Sequence, residues 1–400
     1  MSLKAKYNFL HLFYWFTGCC INGFIAVFLQ SKGLSNTEIG IVTGGSCVAT
    51  IFLSPFMSSL ISKIKGMTIK KLMTFLMLTT VLLYIVMAFL PIPAFLVMIF
   101  YVIMYALNMS TVPMLTMIAM NYINEGTYVN FGLARGIGSA SWATSALVFG
   151  QVVSFLGANI LSIAYCVFAL VTLFILYHLP ESKITKTKTE EVQEEGSVVT
   201  VIKKYKIFFF LLLGFCFMFS GATAIGTYLI NIVKSLGGNT SLYGVAMFAM
   251  AFSELPVMMT VPKLMKKFNS VPLILVASIF YICRNYTIGL APNLIVLIIG
   301  MMFQGLSYGL FTGVITYYVT YNLDTQDQMS GQTMIGIMTS GIGSTLGNVL
   351  GGILQDTIGL NALFTFVYLM TALGAVIIFI CKFVWEKSPE LQAETGNKRK

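Results

Sequence analysis

The chain has 400 residues, of which 57% are hydrophobic and 10% charged, and its formal net charge is +10. Soluble domains carry about 25% charged residues, so this composition excludes a soluble globular protein. The hydrophobic residues recur in runs of about 20, the length of helix that crosses about 30 Å of hydrocarbon. Because backbone amides in lipid must bond within their own helix, the sequence predicts an all-α integral membrane protein.

We predict twelve transmembrane spans. In chain order they cover 8–30, 38–62, 72–91, 94–120, 131–156, 158–179, 207–232, 242–262, 271–291, 293–319, 331–355 and 360–383. The first run is too long for the hydrophobic region of a signal peptide and lacks a small-residue cleavage site, so we expect it to remain as a helix. Twelve spans place both termini on one side of the membrane.

The basic residues indicate which side that is. Of the 24, twenty flank the spans on one face, only Lys32 and Lys234 lie on the other, and Arg135 and Arg284 fall within spans. Because cytoplasmic loops carry the excess of Lys and Arg, we expect cytoplasmic termini and a place in the cytoplasmic membrane of a bacterium. The positive charge thus indicates topology and not a nucleic-acid partner.

One long polar connection, residues 180–206, divides the chain in the middle. We predict an N-terminal six-helix bundle over 1–179, a cytoplasmic linker loop over 180–206, a C-terminal six-helix bundle over 207–383 and a cytoplasmic tail over 384–400. Glycines at 343, 347 and 351 in the eleventh span recur every fourth residue and allow close helix contact. Two six-helix repeats are typical of transporters that hold their substrate near mid-membrane between the repeats.

Three charges lie well inside the predicted spans, away from the first and last residues, and a charge at the bilayer centre costs about 2.5–3.5 kcal/mol. Glu254 in the eighth span and Arg284 in the ninth are close enough in depth for their side chains to meet. They form either a structural ion pair between neighbouring helices or a pair that binds substrate or protons in a polar cavity. These two interpretations are compatible.

Arg135 lies about one turn inside the fifth span, so its side chain could simply reach the interface. Trp142 is seven residues on and therefore on the same helical face, with Gly138 and Ser139 between them. A guanidinium fork beside an indole could grip a ring-bearing solute, which is the alternative interpretation.

Other polar residues are less specific. Asn22 and Gln304 are deep enough to touch a substrate, but hydrogen bonds between helices explain such residues equally well. His11 and His178 lie near span ends, which favours an interfacial position over a proton relay.

At these residues the chain resembles the major facilitator superfamily. Within that superfamily it resembles the lactose-permease-like branch of oligosaccharide, nucleoside and phenylpropionate proton symporters. NGFIAVFLQSKGLSNTEIGIV is similar to the branch's first helix and outer loop, and FGLARGIGSASWA to helix 5 of its sugar permeases. The resemblance implies the major facilitator fold and sugar-binding roles for Arg135 and Trp142. SELPVMM places Glu254 at a substrate-binding glutamate, and SIFYICRNYTIG places Arg284 at an arginine tied to proton coupling.

The chain departs from the lactose permease at other positions. VPMLTMIAM in the fourth span lacks the glutamate that pairs with the helix 5 arginine in the sugar permease. In FQGLSYG, Gln304 and Ser307 stand where that permease has a coupling histidine and glutamate. We therefore do not expect lactose transport by the same mechanism.

We expect a secondary transporter that moves a small ring-bearing organic solute by alternating access with proton symport, in which Glu254 binds the proton. The solute is either anionic, because Arg135 lacks an acidic partner, or a neutral sugar or nucleoside. An efflux carrier and a non-transporting sensor remain alternatives, and the chain has too few convergent acid–base groups for an enzyme. No GxxxxGK[ST] motif occurs, and we expect a monomer without metal or cofactor.

Overall fold

A computed structural model describes residues 2–64, 66–127, 129–181 and 198–387 of the chain. Within those residues, eleven helices and one bent pair of helices are long and apolar enough to cross a membrane, which confirms the twelve predicted spans. The first six are α1 (Leu3–Gly23, continued by Ile25–Ser31), α2 (Asn36–Lys63), α3 (Ile69–Phe89), α4 (Ala94–Asn124), α5 (Phe131–Leu156) and α6 (Ile160–His178). The second six are α7 (Lys206–Ser235), α8 (Thr240–Lys267), α9 (Ser270–Gly289), α10 (Leu294–Asn322), α11 (Thr325–Thr357) and α12 (Leu360–Glu386).

Local signals in the sequence set several helix ends. The side chain of Ser35 accepts from the backbone N–H of Glu38 and the Glu38 side chain accepts from that of Ser35, a capping box that starts α2. Helix α5 covers the predicted residues 131–156 because Asn130 caps its first turn and Gly157 ends it at φ 79°. That positive φ suits glycine, which has no Cβ.

The helices form two units. One comprises Met1–Thr189 with Gly238–Phe248, and the other Glu190–Gly237 with Ala249–Lys400. The first therefore includes the beginning of α8, which the predicted division at 180–206 assigned to the second bundle. Residues 182–197 of the predicted linker and 388–400 of the predicted tail lie outside the described residues.

The end of the predicted linker is helical, so the prediction of a loop up to residue 206 is wrong there. Val198–Lys204 forms a short helix, called here the linker helix. The Lys204 ammonium donates to the carboxylates of Asp324 at 2.6 Å and of Asp327 at 2.8 Å, and the Tyr205 hydroxyl donates to Asp327 at 2.9 Å. These acids follow α10, so their distance in sequence hid the partnership.

The linker helix is held by charge as well as by hydrogen bonds. Asp324, followed by Asp327, raises the pKa of Lys204 above its usual range. Lys204 therefore keeps its charge at neutral pH and over a wider range of alkaline pH than a free lysine. Asp327 is buried, so it depends on these donors for its hydrogen bonds.

Helix α1 is broken near its middle. Cys19–Gly23 form one wide π-helical turn, and Phe24 leaves helical geometry at φ −115° and ψ 21°. The two parts of α1 meet at an angle of 54°. A break of this kind releases backbone carbonyls from the i→i+4 pattern, and in lipid those carbonyls need another donor.

Three buried tyrosines supply the donors. Their hydroxyls reach successive carbonyl oxygens of the break: Tyr84 donates to Cys20 at 3.1 Å, Tyr101 to Ile21 at 2.7 Å, and Tyr243 to Gly23. The tyrosines come from α3, α4 and the beginning of α8. The bend is therefore fixed by side chains of three other helices.

The first spanning helix of the second unit, α7, has a similar break. Helix α7 leaves helical geometry at Tyr228, with φ −99° and ψ 15°. Phe24 and Tyr228 each stand nine residues before a glycine of positive φ, Gly33 at 82° and Gly237 at 79°. The break and the following turn thus recur at matching places in the two halves of the chain.

The glycines of α11 pack against α7, as their spacing predicts. A Cβ on Gly343 would lie 2.8 Å from the carbonyl oxygen of Cys216, and one on Gly351 would lie 3.1 Å from the ring of Tyr228. Backbone contact of this kind needs residues without side chains.

We predict that replacing Tyr101 by phenylalanine destabilises the protein, because the Ile21 carbonyl loses its donor where water cannot replace it. The free energy of unfolding should fall by about 1–3 kcal/mol. Thermal unfolding of the detergent-solubilised protein measures this as a lower midpoint. Tyr177, whose side chain is 81% exposed, provides the control, and Y177F should leave the midpoint unchanged. Equal midpoints for the two variants would contradict the role given to Tyr101.

Candidate functional site

In the first unit, Arg135 lies over the ring of Trp15. The guanidinium carbon is 4.9 Å from the ring centroid, a distance typical of cation–π contacts. The ring fits because residue 138 is glycine: a Cβ there would lie 2.5 Å from Trp15 Nε1. Arg135 itself is exposed.

The structure therefore gives Arg135 a different aromatic neighbour from the one predicted. Trp142 is half-buried, and its Cζ2 atom would lie 3.4 Å from a Cβ on Gly23 at the break of α1. Trp15 was missed because its contact with Arg135 joins two helices. No spacing within α1 could have indicated this contact.

Several buried polar atoms near these residues have no hydrogen-bond partner among the described residues. They are both amide atoms of Asn108, Oδ1 of Asn22 and Nε1 of Trp15. Asn108 is 1% exposed. The Tyr14 hydroxyl donates to the backbone oxygen of Asn108 at 3.2 Å, so the backbone of residue 108 lies beside α1. Unpaired buried polar groups are costly, and a ligand or water would relieve that cost.

His11 is buried where an interfacial position was predicted, and His178 is exposed. His11 is 1% exposed, with its Nε2 atom 2.9 Å from the Tyr7 hydroxyl. His178 is exposed at the end of α6, where its Nδ1 atom lies 2.8 Å from the backbone oxygen of Phe174. The nearness of His11 to the start of α1 suggested an interfacial position, but α5 covers that part of α1.

In the second unit, the structure brings together Glu254 of α8 and Gln304 of α10. Both are half-buried, and the Gln304 side chain is a hydrogen-bond partner of the Glu254 carboxyl group. The next five residues, Gly305–Gly309, form a π-helical turn with two glycines against α8. A Cβ on Gly309 would lie 3.6 Å from the Glu254 Cα. The turn therefore lets the two backbones approach at the carboxylate.

Arg284 of α9 is buried, with 1% of its surface exposed. Its Nη1 donates to the side-chain oxygen of Asn285 at 2.9 Å, and the Asn285 amide donates to the Thr371 hydroxyl at 2.7 Å. The Nε atom has no partner among the described residues. Uncharged groups thus hold this cation, and one of its donors is left unused.

Glu254 and Arg284 do not form the direct ion pair that the sequence allowed. Ion pairs between described residues include Lys204–Asp324, Lys204–Asp327 and Lys382–Glu386, and neither Glu254 nor Arg284 takes part in one. Arg284 still acts on Glu254 electrostatically at longer range. A gap between opposite charges leaves room for a ligand or a proton to change their balance.

Ser307, the other residue at a coupling position of the family, faces its own helix. It is buried, and its hydroxyl donates to the Phe303 backbone oxygen at 2.9 Å. Gln304 is therefore the polar group of this segment that remains for a ligand, and its Oε1 atom has no partner within the described part of the chain.

Comparisons with known proteins agree with this architecture. The profile of the MFS_1 like family matches residues 4–366. A maltose permease of Geobacillus stearothermophilus is 21% identical over 279 residues, which are 70% of each chain.

Two solved structures share the fold. The nucleoside transporter NupG, in a form with one substitution, superposes with a TM-score of 0.81 at 14% identity, over 95% of this chain and 99% of that one. A D-xylose–proton symporter gives a TM-score of 0.69 at 15% identity, over 95% of this chain and 96% of that one.

We predict that alanine at position 138 displaces the Trp15 ring, because the added Cβ would occupy the space of the indole. The test uses a protein in which Trp142 and Trp385 are replaced by phenylalanine, leaving Trp15 as the fluorophore. G138A should shift the Trp15 fluorescence emission to longer wavelength and increase the rate constant of its quenching by acrylamide. Gly136, on the same helix, has no atom within 4 Å of its added Cβ, so G136A should match the parent. Unchanged fluorescence in G138A would contradict the contact.

Proposed function

Because the chain belongs to the MFS_1-like family of transporters, we propose that it carries a small, neutral, hydroxyl-bearing ring solute by alternating access. The observation that carries the proposal is the side chain of Asn108. Its amide oxygen and nitrogen are both buried without partners among the described residues. A hydroxyl group can donate to the one and accept from the other, whereas a carboxylate can only accept.

Further unpaired atoms support the same chemistry. Asn22 Oδ1 and Gln304 Oε1 need donors, and Trp15 Nε1 and Arg284 Nε need acceptors. A solute with several hydroxyls provides both. Trp15, with Arg135 above it, and Trp142 offer faces on which a sugar or nucleoside ring could stack. Maltose, xylose and nucleosides, named for the similar proteins, all carry ring hydroxyls.

An anionic ring-bearing solute is the second candidate. It is favoured by Arg135, which is exposed and takes part in none of the ion pairs between described residues. An aromatic carboxylate could bind that guanidinium as a fork. The unpaired acceptors Asn22 and Gln304 argue against it, since such a ligand brings them no donor.

We propose further that transport is coupled to protons and that Glu254 binds the proton. Glu254 lies beside Gln304, which cannot titrate, and at some distance from Arg284. Protonation of Glu254 would remove its negative charge and with it the attraction to Arg284. This would alter how strongly Gln304 and Arg284 Nε bind a substrate hydroxyl. The distribution of the basic residues supports cytoplasmic termini, and we place the transporter in the cytoplasmic membrane.

Counter-flow in proteoliposomes tests the substrate class. Proteoliposomes that contain the purified protein are loaded with unlabelled solute, and the same solute in radiolabelled form is added outside: D-xylose, maltose, uridine or 3-phenylpropionate. We expect exchange of at least one neutral solute. Exchange of phenylpropionate alone would reject the neutral class in favour of the anionic one, and no exchange of any of them would reject both. When the exchanged solute is added to everted vesicles and enters them, proton movement out of the vesicles would indicate efflux by antiport, whereas symport moves protons into the vesicles with the solute.

For proton coupling we predict that E254Q loses accumulation driven by a pH gradient while it retains counter-flow, because exchange needs no net proton movement. Accumulation should fall at least about tenfold, as expected when a proton-binding group is removed. E386Q is the matched control, since Glu386 is a partly exposed partner of Lys382 at the end of α12. A pH dependence in E254Q equal to that of the parent would contradict the role.

A further inference from the structure

His11 is a buried imidazole that the proposed site does not yet include. It lies on α1, one turn before Trp15, with 1% of its surface exposed. Its ring is packed edge-on against Tyr7, 4.9 Å away, and against Phe131, 6.4 Å away. The Arg135 guanidinium is near enough to act on it electrostatically.

The hydrogen bonds around Tyr7 determine where the proton of His11 lies. The Tyr7 hydroxyl has one proton and donates it to the Leu115 backbone oxygen at 2.8 Å, because a carbonyl can only accept. The Nε2 atom of His11 lies 2.9 Å from the same hydroxyl and must therefore donate to it. In the neutral ring, Nδ1 then carries no proton and is an acceptor.

That acceptor is unsatisfied. Nδ1 of His11 is buried and has no partner among the described residues. Because Nε2 is directed at Tyr7, Nδ1 is directed to the other side of the ring. Protonation is a poor remedy, since it would place a second positive charge near Arg135. A neutral donor from outside the protein would satisfy it at no such cost.

His11 also continues a line of unsatisfied atoms along α1. Trp15 follows it after four residues of regular helix, so these two side chains lie within about 40° of each other around α1, and Asn22 follows in the π turn. Each has a buried atom without a partner in the described structure: Nδ1 of His11, Nε1 of Trp15 and Oδ1 of Asn22. Acceptor, donor and acceptor thus follow one another along α1, with about 6 Å of rise between the first two.

We propose that His11 Nδ1 accepts a hydrogen bond from a hydroxyl group of the transported solute and so helps to determine its specificity. The inference rests on the proposed transport of hydroxyl-bearing rings. It adds that the solute contacts α1 from Asn22 to His11 and that a hydroxyl, and not a carboxylate, meets the imidazole.

The chain has two histidines, which makes the test direct. In H178N, whose altered residue is exposed at the end of α6, His11 is the sole imidazole. Long-range ¹H–¹⁵N spectra of this protein should show a protonated Nε2 and a bare Nδ1. Titration with maltose, D-xylose and uridine is followed in parallel by tryptophan fluorescence. The solute that changes the fluorescence should also move the Nδ1 signal towards that of a hydrogen-bonded nitrogen.

Two substitutions give the functional readout. H11F keeps a ring but no acceptor, whereas H11N keeps an oxygen close to the position of Nδ1. For the exchanged solute, H11F should raise the KM of counter-flow about tenfold, the effect of losing one such bond, and H11N by no more than about threefold. A derivative of the solute that lacks the hydroxyl bound by His11 should have the same KM in H11F as in the parent.

The outcomes separate the two proposals. If a neutral solute binds but leaves the Nδ1 signal unmoved, or if H11F and H11N are impaired equally for every derivative, the role of His11 is wrong and the proposed function stands. If neither maltose, D-xylose nor uridine binds, both proposals fall. Should H11F not fold, the spectrum of the H178N protein, with His11 in place, still decides.

Discussion

A carbonyl oxygen freed from a helix inside lipid has no water to replace its lost hydrogen bond, and the first unit is built around that constraint. The π turn of α1 releases carbonyls at Cys19–Gly23, and tyrosine hydroxyls from α3, α4 and α8 satisfy three of them. Each tyrosine can reach its carbonyl only if its own helix is correctly placed. The position of Asn22 within the turn, and the contact of Gly23 with Trp142, follow from the same bonds.

The second unit handles buried polarity differently. Arg284 is held by a chain of uncharged groups through Asn285 to Thr371, and Glu254 by the amide of Gln304. Amides stabilise a charge without fixing it as a salt bridge would, because they bring no opposing charge that must be separated again. A carboxylate held in this way can change its protonation state with little rearrangement around it. That property suits a group whose charge must alternate during a transport cycle.

Much of the fold follows from the sequence because lipid imposes it. Apolar runs predicted all twelve spans, and for α5 the Asn130 cap and Gly157 set both ends. The glycine spacing of α11 predicted close contact with another helix, and the structure shows that this helix is α7. The linker helix escaped prediction because the acids that hold Lys204 come after α10, more than a hundred residues later.

The candidate site was predicted only in part, for a related reason. Charged residues are rare in membrane-spanning segments because they are energetically costly there. Arg135, Glu254 and Arg284 could therefore be identified from the sequence. Which groups they meet depends on contacts between helices. Trp15 below Arg135, and Thr371 as the residue that binds Asn285 beside Arg284, became visible only in three dimensions. His11 was misjudged because depth along a helix does not reveal what covers it.

The space that Gly138 leaves for the Trp15 indole constrains how these two positions can change in evolution. Neither residue is useful at its position without the other: a larger residue at 138 expels the indole, and a smaller ring at 15 leaves a void beside Arg135. The two positions should therefore change together when this lineage diverges. A descendant that acquires a new cargo would have to cross a poorly packed intermediate, or keep both residues and alter the cavity elsewhere.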